Sequence, residues 1–281
     1  MRQPGVRRFW RLAALPLIVS GCGLPSTSDD EVVQPADDSP TAKPIDSGPR
    51  DAESSSGTAP EDEAHGGEGE FSQLLADLGV VLHAGTSSIS VKGWVNMQTG
   101  LVEVFACVPE GKTHESVVVL DCVPSGLHAG LLALGLTSGT PVEHGTDGTY
   151  ERPTGDGVDI HVKWKGLDGA DRLARAEDWV WNHETSSAMK HGSWVFAGSF
   201  LQESPGSPGD RTYAANYVKS LVTTYHDSSS VLENPHVSGI DDTIYYANDR
   251  AVPAVGTPVT VVFSAGRTAR ASEKRPTGEG K

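Results

Sequence analysis

Three cysteines in 281 residues, at positions 22, 107 and 122, leave no cluster from which an iron–sulfur centre could be built. Basic residues are also scarce. The chain has 22 Lys and Arg against 37 Asp and Glu, a formal charge of −15 that argues against nucleic acid as a partner. The apolar run at residues 12–19 is too short to span a bilayer. Complete catalytic motifs are missing too. Gly111-Lys112-Thr113 suggests a phosphate loop, but that motif needs a glycine five positions before Gly111, where Ala106 stands. No His-Glu-x-x-His occurs, because Glu115 is followed by Ser116, Val117 and Val118. The Gly-x-Ser-x-Gly elbow is absent, and Phe196-Ala197-Gly198-Ser199-Phe200 lacks its flanking pattern.

What is present begins with an address. Arg2, Arg7, Arg8 and Arg11 form a basic start, residues 12–19 a short apolar stretch, and Val19-Ser20-Gly21-Cys22 resembles the bacterial lipobox. The resemblance implies a signal peptide over residues 1–21, cleaved before Cys22, whose thiol is then diacylated with chains such as palmitate. Acyl burial at roughly 0.8 kcal/mol per CH2 would anchor the protein stably in a membrane. Gly23, where an inner-membrane retention signal would have aspartate, points to the outer membrane of a bacterial cell envelope.

Residues 22–70 read as a disordered acidic tether. From residue 23 they hold thirteen acidic residues against two basic ones, and too little apolar surface to offset the entropy of ordering. Most of the net charge belongs to this segment. Residues 264–281 read as a polar tail. Residues 71–263 remain as one globular domain.

Within that domain the strand-like runs are residues 79–83, 89–96, 101–108, 116–123, 158–164, 194–200, 213–224 and 258–263, rich in β-branched and aromatic residues. Residues 126–134 form one helix, apolar nearly all round and so expected to be buried, with Ser125 as N-cap and Gly135 at its end. A helical turn is expected near residues 170–178, and a short leading helix over 71–78. The expected class is α+β: a mainly antiparallel sheet with one buried helix. The short connection of residues 109–115 predicts that 101–108 and 116–123 pair as a hairpin. Val117, Val118, Val119 and Leu120 run without alternation, which predicts a strand covered on both faces. In the hairpin register Cys107 and Cys122 lie roughly 17 Å apart, too far for a disulfide, so two buried free thiols are expected.

Lys112, His114, Glu115 and His128 are the candidate ligand or metal site. Catalytic zinc often takes two histidines and a carboxylate, and this set would need help from Asp121, Asp241 or Asp242. The plainer reading pairs Lys112 with Glu115 in solvent and leaves His128 a core histidine, held neutral at pH 7 by its place near a helix N-terminus. Trp94, Trp164, Trp179, Trp181 and Trp194, with Tyr213, Tyr217, Tyr245 and Tyr246, would suit a carbohydrate or peptide groove, although aromatics at strand spacing are more often core.

Read together, Lys112-Thr113-His114-Glu115-Ser116, the block Leu127-His128-Ala129-Gly130-Leu131-Leu132-Ala133-Leu134-Gly135 and Ser138-Gly139-Thr140-Pro141-Val142 resemble the YdjY-domain family. Further matches are Pro153-Thr154-Gly155, Trp164, Asp168-Gly169, Arg172, Asp178-Trp179-Val180 and Trp194-Val195-Phe196-Ala197-Gly198-Ser199. The similarity runs over about residues 91–263, and Trp181 departs from it where a basic or polar residue is expected. The resemblance implies an exported bacterial protein, in some members lipid-anchored, with no established activity, and no cofactor follows from it. The sequence therefore suggests a lipoprotein held to the membrane through Cys22, whose non-catalytic domain binds an envelope protein or glycan. The alternative is a metal-dependent envelope hydrolase using His114, Glu115 and His128.

Overall fold

The computed structural model describes residues 63–146 and 149–266. The expected signal peptide, Cys22, most of the acidic tether and most of the tail lie outside the described residues. The chain enters through α1 (Glu63–Asp77), so helix begins inside the acidic segment. It continues through β1 (Val80–His83), β2 (Ser88–Val95), β3 (Val104–Cys107) and β4 (Ser116–Leu120) to α2 (Pro124–Ala133). β5 (Glu143–His144) and β6 (Tyr150–Glu151) form a small pair, followed by β7 (Gly157–Lys165), β8 (Asp171–Arg175), β9 (Val180–Asn182), β10 (Ser187–Ala188) and β11 (Trp194–Val195). The hairpin of β12 (Leu201–Ser204) and β13 (Ser207–Tyr213) leads into α3 (Ala214–Val218). After it come β14 (Ser220–Thr223), β15 (Leu232–Glu233), β16 (Tyr245–Ala247) and β17 (Pro258–Ala265).

Eight of these strands close on themselves in the order β2-β17-β7-β11-β15-β14-β3-β4, with β4 returning to β2, while β1 and β8 flank the circle. The β3–β4 and β14–β15 pairings are parallel and the other pairings are antiparallel. The fold is therefore a mostly β, closed, mixed barrel with three small helices among the described residues. The expectation of a mainly antiparallel α+β sheet with one buried helix was wrong. Closure turns on Gly93. One edge of β2 pairs with β1 up to Val91 and with β4 from Gly93 onward, and a Cβ at Gly93 would meet the Val119 carbonyl oxygen at 2.1 Å.

The core follows the period-2 pattern of half-buried strands. Val158, Ile160 and Val162 of β7 and Val259, Val261 and Phe263 of β17 are buried, and the residues between them are more exposed. Phe105 and Trp194 join them in one cluster. All five residues of β4 are buried, as its unbroken apolar run predicts.

The expected hairpin does not form. Val104 lies opposite Ser116 and Cys107 opposite Val119, so β4 runs parallel to β3. Parallel neighbours usually need a connection of a dozen residues or more. Here β3 is only four residues long, and residues 108–115 suffice to bring the chain back. Cys107 and Cys122 are free thiols. Cys107 packs with Val104 and Val119, whereas Cys122 packs against the main core, and burial pushes the Cys122 thiol up to about 12. Cys122 lies beyond the end of β4, where its N–H turns back to the Leu120 carbonyl at 3.1 Å.

Three local expectations also change. α2 turns Gly126, Leu127, Gly130 and Leu131 inward but leaves Leu132 about half exposed (48%), so it covers the barrel as a surface helix. The run 213–224 splits into the end of β13, α3 and β14. The turn expected near 170–178 becomes β8 followed by a single 3-10 turn, Ala176–Trp179.

Candidate functional site

The loop between β3 and β4 is held at several points. A Cβ at Gly111 would meet the Lys219 carbonyl oxygen at 2.7 Å, so the loop lies tight against the turn after α3. Thr113–Glu115 form one 3-10 turn. Ser116 Oγ donates to the Lys112 carbonyl at 2.7 Å, and Asn96 Nδ2 donates to the carbonyls of Thr113 (2.6 Å) and Ser116 (2.8 Å). These bonds aim Lys112 at three carboxylates. Its Nζ lies 3.4 Å from Glu115, 3.6 Å from Glu103 and 3.6 Å from Asp227.

Burial disfavours the Lys112 ammonium, but Asp227, Glu115 and Glu103 outweigh it and its pKa rises. The Glu103 carboxyl is pushed up by burial, then by the like charge of Glu115, against the opposing pull of Lys112. His114 stands at the rim, 79% exposed, with Nε2 3.7 Å from Glu115. The ammonium fills the place between the acids where a cation would sit, and among the described residues no group of three or more His, Cys, Asp or Glu is arranged to hold a metal ion. Its chemistry is charge presentation: one cation among three anions, part-open to solvent.

His128 belongs to a different setting. The Tyr213 hydroxyl donates its single proton to the Gly198 carbonyl at 2.8 Å. His128 Nδ1, 2.8 Å from that hydroxyl, must therefore carry hydrogen and donate to it. This leaves the lone pair on Nε2. The ring packs edge-on against Phe196 at 4.9 Å and Tyr213 at 5.6 Å. Its pKa is lowered by burial, with the Gly198 carbonyl opposing, so it is neutral at pH 7. Burial, rather than the helix N-terminus, is the larger cause.

The structure thus brings Lys112, His114 and Glu115 together and leaves His128 apart. His114 precedes β4, whose five residues span about 13–17 Å. α2 starts beyond the other end of that strand, and the two histidines share no partner. Ser199 is committed to structure. Its Oγ donates to the Ser229 carbonyl at 2.9 Å and accepts the Ala215 N–H at 3.1 Å.

Sequence reasoning missed Glu103 and Asp227, since neither stands near Lys112 in the chain. It also missed a buried pair beside the nest. His226 Nδ1–H donates to Glu233 Oε2 at 3.1 Å, and Glu233 Oε1 accepts the Val142 N–H at 3.0 Å. Both side chains are sealed from solvent, and His226 Nε2 has no hydrogen-bond partner among the described residues. Only Pro235, two residues past Glu233, marks that stretch in the sequence.

A family model described as the YdjY domain matches residues 80–264, about two thirds of the chain. The chain belongs to the YdjY domain family. The match takes in β1 and the closed barrel up to the penultimate residue of β17, and includes the Lys112 nest and His128. No curated protein and no solved structure matched. The YdjY family carries no assigned reaction, so the reading of the nest rests on its own geometry.

Proposed function

We propose that this chain is a membrane-anchored envelope lipoprotein whose YdjY domain binds an envelope protein or glycan and catalyses no reaction. The observation that carries the reading is the Lys112 nest: a fixed, part-exposed charge cluster in which one ammonium faces three carboxylates, with no metal-ligand set among the described residues. Three acids on one lysine leave an anionic surplus, which favours a cationic group on the partner. Anchoring through diacylated Cys22 and exposure at the outer membrane follow from the lipobox-like Val19-Ser20-Gly21-Cys22.

A photo-crosslinker placed at His114, the exposed rim of the nest, tests the binding role in cells. A discrete adduct that disappears in Glu103→Gln/Glu115→Gln supports it. Absence of any adduct, together with near-stoichiometric metal in protein purified without chelator and its loss in both His114→Ala and His128→Ala, would replace it with the metal-dependent hydrolase. For the anchor, Cys22→Ser should move the protein from the membrane to the soluble fraction. A variant that stays with the membrane ends that part of the reading.

A further inference from the structure

We infer that the outward face of β9 and β16 is a saccharide-binding site. The inference rests on the reading of the domain as a binding module and names the class of one ligand. In this pairing Tyr246 lies directly opposite Trp181. Val180, Asn182, Tyr245 and Ala247 are buried, so the alternation turns Trp181 and Tyr246 outward side by side. They line a depression of about 300 Å³ together with Thr99, Gly100, His183 and Arg250. The His183 ring lies 5.6 Å from Tyr246, and the Arg250 guanidinium 5.6 Å over Trp181.

The side chains of Trp181, Tyr246, His183, Asp249 and Arg250 make no hydrogen bond with the described residues, and Arg250 has no carboxylate partner among them. Donors (indole N–H, phenol, guanidinium) and an acceptor (the Asp249 carboxylate) therefore surround two aromatic faces with their capacity unspent.

A pyranose matches that layout: its C–H face lies on the Tyr246 ring while its hydroxyls take the Asp249 carboxylate and the guanidinium that stands over Trp181. The volume suits one or two sugar rings. An extended peptide cannot add beside Tyr246, because the edge of β16 is already occupied. Val102 N–H donates to the Tyr245 carbonyl at 3.0 Å, and Ala247 N–H to the Gly100 carbonyl at 2.9 Å. Gly100 lines the pocket and Glu103 the nest, so a four-residue segment joins the two surfaces.

The test is calorimetric titration of the full chain in detergent with chitotetraose, a tetragalacturonate and a proline-rich decapeptide. Binding of a saccharide, weakened about tenfold or more by Trp181→Ala and by Tyr246→Ala but unchanged by Trp94→Ala, is the expected result. Asp249→Asn/Arg250→Gln leaves the aromatic platform intact and should weaken the same saccharide, which guards against misfolding of the aromatic variants. No saccharide binding at millimolar concentration, equal loss in Trp94→Ala, or binding of the peptide alone would overturn the inference. If saccharide binding fails while the His114 adduct persists, this site is wrong and the binding role stands. Cleavage of a bound saccharide would keep the site and end the non-catalytic reading.

Discussion

His226 and Asp227 are neighbours in the chain, yet they serve two clusters with opposite surroundings. Asp227 reaches the part-exposed nest, where Lys112 Nζ stands 3.4–3.6 Å from three carboxylates. His226 turns inward to Glu233, where both carboxylate oxygens are taken at 3.0 and 3.1 Å and water is excluded. In the nest, contacts longer than a charge-assisted hydrogen bond of about 2.8 Å leave the ions partly hydrated and exchangeable. In the buried pair, each bond stands in for lost hydration, and an absent partner leaves a bare polar group. Exposure therefore separates a surface that can offer charge to a partner from a joint that holds the barrel together.

That contrast predicts a ranking of stability effects. Glu233→Ala strips two buried donors of their acceptor and should cost about 3–5 kcal/mol, read by urea denaturation. A loss below about 1 kcal/mol would make the buried pair no more structural than the nest. Tyr213→Phe removes the acceptor of His128 Nδ1–H and the donor to Gly198, and should cost about 1–1.5 kcal/mol. In nitrogen-15 spectra the wild-type ring should show Nδ1 protonated, and the variant a changed tautomer ratio. An unchanged ring would mean that the hydroxyl does not fix it.

Lys112→Gln should cost less than about 1 kcal/mol, because the Lys112 side chain is about one third exposed, and the cost should shrink further in high salt. A loss as large as that of Glu233→Ala would remove the distinction between the clusters. The smallest effect concerns pH. Burial depresses the folded-state pKa of His128, so the unfolded chain binds a proton at a pH where the native ring does not. Its contribution to stability is therefore intact above about pH 6.5 and lost as pH falls from there through the folded value. Stability curves of His128→Phe and wild type should converge on that side, and a constant offset between pH 5 and 8 would exclude the titration.

Several elements were legible because their signals are local. The run Val117–Leu120 gave a strand covered on both faces, and the Lys112–Glu115 stretch gave a polar turn at the start of that strand. α2 was found within two residues of each end, but its burial was overestimated because an all-round apolar helix on a small barrel still leaves one face outside, here at Leu132. The parallel return of β4 was not legible. A seven-residue connection ordinarily means a hairpin, and only the shortness of β3 allows the other direction. The outward placement of Trp181 and Tyr246 was equally hidden, since strand alternation assigns two faces without saying which one meets the core.

The sequence by itself determined the acidic segment, the strand-rich domain, and family membership through blocks that lie close together in the chain. Tertiary structure alone decided that the sheet closes and that Glu103 and Asp227 meet Lys112. The physical reason is range. Propensity, patterning and short motifs act over a few residues, whereas barrel closure brings together groups more than a hundred residues apart, whose pairing depends on register and direction rather than on any one segment.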